Sequence, residues 1–365
     1  MSFPSISVVV CTRNRAAHLQ KCIASLLSQS LKPKEIIVVD DASEEKDFVN
    51  AMNSVSINCK NTIKDASIIY LRNKKRQGVT KSRNLGIAVS SGEVVAFVDD
   101  DGYAHRHWLR NLAKHYRSKS VGGAGGPVVE SKRAAGINRK WKGRITPEGD
   151  ISHNYRIKYA KDARLMKPSP VKFLMGGNMS FRRDALIRLH GFDTRFKGNA
   201  YREETDICLR VSKKGKIIFE PRAIAYHNTA KDGGTRDIST MAHFLYWYFR
   251  NTTILFLRHF DFFDAIRKTY FQSKKFISSV IAGDLRINRA YLIKEGANKH
   301  IAAIVKGAVS GFFKSKGRLK KLDYEKPEDM KMLTVSAKDS RLQFAESRNI
   351  IQHMKLFIRC HFNGA

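Results

Sequence analysis

Residues Ile6–Cys11 read ISVVVC, an unbroken run of mostly β-branched side chains that is typical of a strand buried on both faces. A second run, EIIVV, covers Glu35–Val39, and the residues between the two place apolar side chains at helical spacing. Two more buried strands are predicted at Ile68–Leu71 and Val94–Val98, with a helix at Thr80–Ser90 between them. Because strands and helices alternate, the pattern predicts a doubly wound, Rossmann-like α/β sheet.

Composition and charge narrow the class of protein. The 365 residues are 42% hydrophobic with 8 Pro and 24 Gly, which is a globular composition and excludes collagen-like and disordered chains. Lys and Arg number 67 against 33 Asp and Glu, a formal net charge of +34, so we expect an anionic partner. Nucleic acid, acidic lipid and a phosphorylated substrate all fit that charge. No zinc-finger spacing or RNA-binding aromatic motif occurs, so nucleic acid is not the expected partner.

Cysteine usage and hydropathy indicate the compartment. The 5 cysteines are scattered and form no CxxC pair, which indicates reduced thiols in a cytosolic chain. The N-terminal residues lack the basic and apolar regions of an export signal, and they are predicted to form a strand instead. No run of about 18 uncharged apolar residues occurs, so we expect no membrane-spanning segment.

Polar clusters follow the predicted strands at the sheet edge where such folds bind ligands. Thr12 and Arg13 follow the first strand, and Asp41 follows the second. The fourth strand leads into FVDDDG, in which Asp99 and Asp101 are spaced to face one hard cation that neutralises a departing phosphate. The alternative is a solvated acidic turn with an Asp capping the next helix.

Two further motifs carry groups suited to catalysis. YREETDICLR places Glu203 and Glu204 at a predicted helix N-terminus, where the helix dipole stabilises acids but where a general base could also face a substrate hydroxyl. AYHN places His227 after an apolar strand, as a structural histidine or a metal ligand.

Composition changes twice along the chain. Residues 132–172 hold twelve Lys or Arg and three acids and are predicted to form a long basic loop. Residues 232–322 are aromatic and basic with helical spacing, and they resemble interfacial amphipathic helices. The alternative is that these helices pack on the preceding domain as core. Residues 323–365 form a mixed, polar tail for which no structure is predicted.

The ordered motifs resemble those of the family-2 inverting glycosyltransferases with the GT-A fold. They are CTRN, VVDDAS, KSRNLG, FVDDDG, GGNMSFRR, HGFD, REETDICLR and AYHN, over about residues 4–232. The resemblance implies a GT-A domain at 1–231 with a nucleotide-binding half at 1–101 and an acceptor half at 102–231. A membrane-associating region at 232–322 and the tail at 323–365 would follow as an appendage.

The resemblance also assigns roles to residues. Asp101 would coordinate Mn²⁺ or Mg²⁺ on the diphosphate together with Asp99 and His227. Glu204 matches the catalytic carboxylate and Glu203 its neighbour; the family usually has Glu-Asp or Asp-Asp there, so Glu-Glu keeps both as candidates. The implied donor-binding residues are Thr12, Arg13, Asp41, Arg83, Asp99, Asp100 and Asn178.

The implied activity is a metal-dependent, inverting transfer of a sugar from a nucleotide-diphosphate donor, with a UDP-sugar expected. The acceptor would be a hydroxyl of a glycan or polyprenyl-linked molecule in cell-surface polysaccharide or glycolipid assembly. The protein would lie on the inner face of the cytoplasmic membrane, bound to its anionic surface. Two alternatives stay open: a basic nucleic-acid-binding protein on an α/β scaffold, and a donor-binding protein without turnover.

Overall fold

Alternating strands and helices form the first half of the protein, and they confirm the predicted α/β class. Each predicted strand forms where a run of β-branched residues lies. The elements in chain order are β1 (Ile6–Thr12), α1 (Ala16–Leu27), β2 (Glu35–Asp40), a helical segment at 45–51, β3 (Ser67–Asn73), α2 (Val79–Val89) and β4 (Val94–Val98).

The computed structural model describes the greater part of the chain. The predictions for 132–143, 153–155 and 158–165 in the basic loop and for 346–365 in the tail fall outside the described residues. The described residues are 2–51, 67–129, 144–152, 156–157, 166–228, 230, 233–234, 240–282, 296–316, 323, 330–336 and 343–345.

Shorter strands and helices make up the second half of the predicted GT-A domain. The acidic motif YREETDICLR begins a helix, as predicted. The elements are β5 (Gly102–Ala104), α3 (Trp108–Ala113), a 3₁₀ turn (Lys114–Arg117), β6 (Val121–Gly125), β7 (Val128–Val129), β8 (Arg144–Ile145), β9 (Ile151–Ser152), β10 (Arg156–Ile157), β11 (Ser169–Val171), β12 (Asn178–Arg182), α4 (Arg183–Arg188), α5 (Glu203–Val211), β13 (Lys216–Phe219) and β14 (Ala225–His227).

The main sheet is continuous from the first half into the second. β4, β1, β2 and β3 are parallel neighbours, and β12 joins them antiparallel to β4 and to β6. A smaller sheet has the order β10-β7-β14-β5. Its β5 follows directly from the acidic triplet after β4, so the two sheets meet at the ligand-binding edge.

The core has two layers, because successive side chains of a strand point to opposite faces. Val8 and Val10 of β1 pack with α1 in one buried cluster, whereas Val9 packs with α2 in the other. All three valines are at most 1% exposed. The unbroken apolar strands predicted from the sequence are therefore covered on both faces.

Three long helices follow the two sheets. Their inner faces build two further hydrophobic clusters, and none of the described helices has the length and hydrophobicity needed to cross a bilayer. The helices are α6 (Met241–His259), α7 (Phe262–Ile281) and α8 (Ala297–Lys314).

α6 is a core helix rather than an interfacial one. Eleven of its 19 residues are buried, among them Phe249 and Phe256. α8 approaches it closely: a Cβ at Gly307 would lie 2.4 Å from the carbonyl oxygen of Tyr246. The core-packing alternative therefore describes α6, and the prediction of an amphipathic membrane helix is wrong for it. α7 and α8 keep exposed outer faces.

Two segments have more structure than their composition predicts. Within the basic loop, β8 and β9 pair as a hairpin, whose turn accepts hydrogen bonds from Lys268 Nζ of α7 at Thr146 O (3.0 Å) and Pro147 O (2.8 Å). Beyond residue 323, β15 (Met330–Ser336) and β16 (Gln343–Ala345) extend the main sheet at the free edge of β3. The region without a predicted structure thus contributes two strands to the GT-A sheet.

Candidate active site

A cleft of about 940 Å³ opens at the carboxyl ends of the parallel strands. One wall comes from the ends of β1, β2 and β4 and the start of α2, where the predicted nucleotide-binding residues lie. The other wall comes from the loop before α5 and from the first turns of α6. Residues of both predicted halves and of the helical region therefore face one space.

Asp99, Asp101 and His227 meet at this cleft. The turn after β4 leads into β5, and β5 pairs with β14 so that Gly102 lies opposite His227. The His227 Nε2 atom lies 2.9 Å from Asp101 Oδ1 and 3.8 Å from Asp99 Oδ2. A strand follows the triplet, and His107 rather than an Asp occupies the N-cap position of the next helix, so the helix-capping alternative is wrong.

These three side chains fit a divalent metal ion. One ligand atom from each lies within 4.8 Å of the others. Two carboxylate oxygens and an imidazole nitrogen suit Mn²⁺ or Mg²⁺. Burial alone would raise the pKa of Asp101, but the hydrogen bond and charge of His227, with Arg15 nearby, hold it well below its usual range. Asp101 is therefore ionised, as a ligand must be.

Asp100 points away from this triad and joins two loops. It is buried, accepts a hydrogen bond from Thr12 Oγ1 (2.8 Å) and pairs with Arg15 (2.9 Å). Burial raises the pKa of Asp100 to about 6 against the opposing charge of Arg15. Arg15 also donates to Gly233 O (2.7 Å), and its importance was missed from the sequence. A second arginine two residues after Arg13 was the available signal.

Asp41 organises the loop at the start of α2. Its two carboxylate oxygens accept hydrogen bonds from the backbone N–H groups of Gln77 (2.7 Å) and Gly78 (2.8 Å) and from Asn73 Nδ2 (2.9 Å). Arg13 lines the cleft near this loop. The loop ends of β1 and β2 are thereby fixed beside the N-terminus of α2.

Arg83 lies between the triad of Asp99, Asp101 and His227 and the acidic helix. The buried guanidinium pairs with Glu203 Oε1, lies 3.6 Å from Asp99 Oδ1 and donates to Gly176 O (3.3 Å). A side chain at Gly177 would clash, because a Cβ there would lie 2.6 Å from Asp99 Oδ2. Arg83 therefore links both functional clusters, and the glycine pair leaves room for it.

The two adjacent glutamates have different surroundings. Glu203 is 6% exposed, and its Oε2 atom has no hydrogen-bond partner among the described residues. Burial raises the pKa of Glu203 to about 8, although the Arg83 charge opposes this. Glu204 is half-buried and lines the cleft. Of the two, Glu204 is the more accessible to a substrate.

The loop before α5 is in a strained conformation. Ala200 has φ 53° and Arg202 has φ 80°, the left-handed region that non-glycine residues rarely adopt. Arg202 is held there by a hydrogen bond from its NH2 group to the Tyr248 hydroxyl (2.5 Å) and by Thr252. The start of the acidic helix is thus fixed by α6.

A buried ion network anchors the rest of α5. Asp206 contacts Arg210 (2.8 Å), His259 Nε2 (2.8 Å) and Arg258 Nε (3.2 Å), and Arg258 also pairs with Asp193. Burial alone would raise the pKa of Asp206, but the charge of Arg210, the hydrogen bond of His259 and the charge of Arg258 hold it well below its usual range. The sequence pattern had marked the end of α6 only as basic, so this role of Arg258 and His259 was missed.

Asn178, predicted to lie beside the donor sugar, is a structural residue. It is 0% exposed, and its amide group donates to Pro127 O (2.8 Å) and Ala223 O (2.7 Å) and accepts from Trp108 Nε1 (2.8 Å). These bonds tie β12 to the neighbouring loops beneath the cleft. The prediction of a cleft-facing Asn178 is therefore wrong, because a buried amide must satisfy its own hydrogen bonds.

An aromatic wall closes the cleft opposite the triad. Trp247 and Tyr248 of α6 line it together with Tyr201. Gly198, with φ 67°, lies against Trp247, and a Cβ there would come within 2.3 Å of the indole ring. The helix predicted to bind membrane thus builds part of the site.

A GT-A-like sheet with an Asp-Asp-His cluster and an acidic helix at one cleft defines the protein as a glycosyltransferase. Residues 7–189 match the family model described as Glycosyl transferase family 2, and the chain belongs to that family.

Curated relatives include enzymes named for lipid-linked substrates. A glucosyl-dolichyl phosphate glucuronosyltransferase of Haloferax volcanii is 27% identical over 237 residues, 61% of this chain and 68% of the relative. The pre-mycofactocin glycosyltransferase of Mycobacterium tuberculosis is 24% identical over 62% of this chain, and the match spans only 43% of that relative. A GalNAc(5)-diNAcBac-PP-undecaprenol beta-1,3-glucosyltransferase of Campylobacter jejuni is 26% identical over 67% of this chain and 71% of the relative.

Solved structures share the fold. The mannosyltransferase PcManGT of Pyrobaculum calidifontis, solved with GDP-Man and Mn²⁺, has a TM-score of 0.55 at 15% identity, over 87% of this chain and 89% of that one. Residues 1–349 of S. aureus TarS, solved with UDP-GlcNAc, have a TM-score of 0.51 at 15% identity, over 94% of this chain and 97% of that one. At such identities the likeness is one of fold.

Proposed function

We propose that this glycosyltransferase moves a sugar from a nucleotide-diphosphate donor, with a UDP-sugar expected, to a hydroxyl of a glycan or polyprenyl-linked acceptor. The observation that carries the proposal is that the Asp99, Asp101 and His227 triad, which fits a divalent metal ion, and the half-buried Glu204 line one cleft. The names of the Haloferax and Campylobacter relatives support a lipid-linked acceptor in polysaccharide or glycolipid assembly. Such an acceptor would place the protein at the inner face of the cytoplasmic membrane.

The donor would lie along the strand ends. Thr12, Arg13 and Asp41 would hold the nucleotide, and Asp99 would lie near the ribose. A Mn²⁺ or Mg²⁺ ion on Asp99, Asp101 and His227 would neutralise charge on the diphosphate. The Arg83 guanidinium would add a fixed positive charge beside that site, 3.6 Å from Asp99 Oδ1. Asp100 would support the donor indirectly, by fixing the loop that carries Thr12.

Glu204 would act as the general base. It would accept the proton of the acceptor hydroxyl as that oxygen attacks the anomeric carbon, while the bond from this carbon to the diphosphate oxygen breaks. A single displacement of this kind inverts the anomeric configuration and requires no covalent nucleophile. Glu203 would hold Arg83 in place. The aromatic wall at Trp247 would pack against the apolar face of an acceptor sugar ring.

Thermal unfolding tests the donor site. The purified protein is melted with UDP, GDP, dTDP or CMP, each with Mn²⁺ and with a chelator. Ligand at about 100 times its Kd stabilises by roughly 2.7 kcal/mol, so one nucleotide should raise Tm by several degrees with Mn²⁺ only. No shift with any nucleotide would refute the donor site, and binding to nucleic acid would then be tested.

Turnover is then measured as release of the nucleoside diphosphate from the matching nucleotide sugar. Metal-dependent binding without any release, with a range of glycan and lipid-linked acceptors, would favour the donor-binding protein without turnover. Asp184→Asn is a matched control, because the Asp184 side chain is 59% exposed on α4, outside the cleft. Neither binding nor release should change in that variant.

A further inference from the structure

The outer ends of α7 and α8 carry a contiguous cluster of four phenylalanines, here called the aromatic patch: Phe262, Phe263 and Phe313 are exposed, and Phe312 is half-buried. Ring centroids are 5.6 Å apart for Phe262 and Phe263, 6.1 Å for Phe262 and Phe312, and 5.5 Å for Phe312 and Phe313. Phe263 is 82% exposed and Phe313 65%. Single exposed apolar residues are ordinary, but a connected group of rings marks an interaction surface.

The patch continues along both helices on the side that faces away from the protein. The inner face of α7 packs on the core: its residues Ala265, Lys268 and Gln272 are each at most 3% exposed. Ile266 and Tyr270 lie on the outer face of α7, 40% and 58% exposed. One side of this helix pair is therefore packed and the other is apolar and open.

The helices that carry the patch are basic. Residues 261–282 and 296–316 contain eight Lys or Arg and two Asp. Lys268 is buried against the β8–β9 hairpin and Lys275 pairs with Asp150, and the other six cations are exposed. Asp261 accepts the helix-capping hydrogen bond from the backbone N–H of Asp264, and Asp264 pairs with Arg267. Lys314, directly after the patch, is exposed. Rings that enter the headgroup layer beside cations that face lipid phosphates are the features of a surface for anionic bilayers.

We propose that the aromatic patch, with its flanking cations, is the surface by which the protein docks on an anionic membrane. The reason for docking rests on the proposed function, because a lipid-linked acceptor would lie in that membrane. α6 connects the two sites: Trp247 lines the cleft about 12 residues, roughly 18 Å of helix, before α6 ends at His259, and the patch begins three residues later at Phe262. Because α6 is buried along most of its length, the docked surface and the cleft are rigidly linked.

Vesicle sedimentation tests the proposal with the full chain and without any nucleotide sugar. Wild-type protein should bind phosphatidylcholine vesicles that contain phosphatidylglycerol and not those of phosphatidylcholine alone, and high salt should weaken binding. The double variant Phe263→Ser/Phe313→Ser should bind about tenfold or more weakly, as expected when two rings no longer enter the apolar layer. The matched control is Val49→Ser, which changes a 46% exposed side chain on the helical segment at 45–51 and should bind as wild type does.

The outcomes separate docking from catalysis. Equal vesicle binding by the double variant and wild type would overturn the assignment, as would no binding by the wild type. If light scattering in the absence of vesicles shows a wild-type dimer that the double substitution dissociates, a second copy covers the patch and the proposal is wrong. The double variant should keep the wild-type Tm and its nucleotide-dependent rise, so a failure of the donor site would appear in that measurement alone.

Discussion

Replacing Asp206 by Asn should lower the unfolding temperature by several degrees, because Arg210 and Arg258 lose their shared buried counter-charge and His259 loses its hydrogen-bond partner. Removing one partner of a buried ion pair costs about 3–5 kcal/mol, and since Asp193 still faces Arg258 we expect the lower end, about 3 kcal/mol. That corresponds to a fall in Tm of about 6–12 °C for a domain of this size. Asp184 and Arg188 provide the control: they are also an i,i+4 pair (2.7 Å), but their side chains are 59% and 68% exposed.

The stability lost in Asp206→Asn should be largest at neutral pH and should shrink in acid. The folded-state pKa of Asp206 is depressed, so its contribution to stability is complete above the unfolded pKa of about 3.9 and is lost as pH falls toward the folded value. Denaturant titrations should therefore give a constant difference in the free energy of unfolding between wild type and Asp206→Asn above about pH 5. Below about pH 3.9 this difference should shrink by about 1.4 kcal/mol per pH unit. Asp184→Asn should change the free energy of unfolding by about 0.5 kcal/mol or less. The buried network would be refuted if both variants lost the same free energy of unfolding, or if the difference between wild type and Asp206→Asn did not change at low pH.

Three further predictions concern the cleft. Glu204→Gln should lower kcat by about 10²–10⁴-fold, while the nucleotide-dependent rise in Tm persists. If Glu203→Gln instead loses more kcat and Glu204→Gln stays active, Glu203 is the general base. Asp101→Asn should abolish the Mn²⁺-dependent part of the nucleotide-induced rise in Tm, and an undiminished rise would place the metal elsewhere. Gly198→Ala should lower the free energy of unfolding by about 1–3 kcal/mol, because the new Cβ would lie 2.3 Å from Trp247 and φ is 67°; a native-like melting curve would contradict the close contact.

The predictable part of the structure lies in the first hundred residues. Runs such as ISVVVC are apolar on both faces, so their location in a doubly covered sheet depends on little beyond their own sequence. The motifs at the strand ends were predictable for a similar reason, since parallel strands bring their carboxyl ends to one edge. Thr12, Asp41, Asp99 and Asp101 consequently line one cleft. Glu204 lies in the first turn of a helix rather than at a strand end, and only the family resemblance assigned it to the same site.

The remainder depends on contacts that no local pattern contains. Asn178 resembles a cleft residue in sequence, yet its amide is hydrogen-bonded within the protein to two loops and to the start of α3. A core helix and an interfacial helix can both have aromatic residues at helical spacing, so their sequence patterns look alike. Only packing distinguishes the buried Phe256 from the exposed Phe263. Arg258 became recognisable as a partner of Asp206 only once α6 was positioned.

The pairing of β15 with β3 has a consequence for how the chain emerges from the ribosome. Met330 pairs with Asn73 and Val335 with Ile68, so β3 receives its second neighbour only after most of the protein has been synthesised. Until then β3 presents an open hydrogen-bonding edge that other nascent chains can add to. Premature termination before β15 would therefore leave a sheet that is largely assembled but has an open edge prone to aggregation.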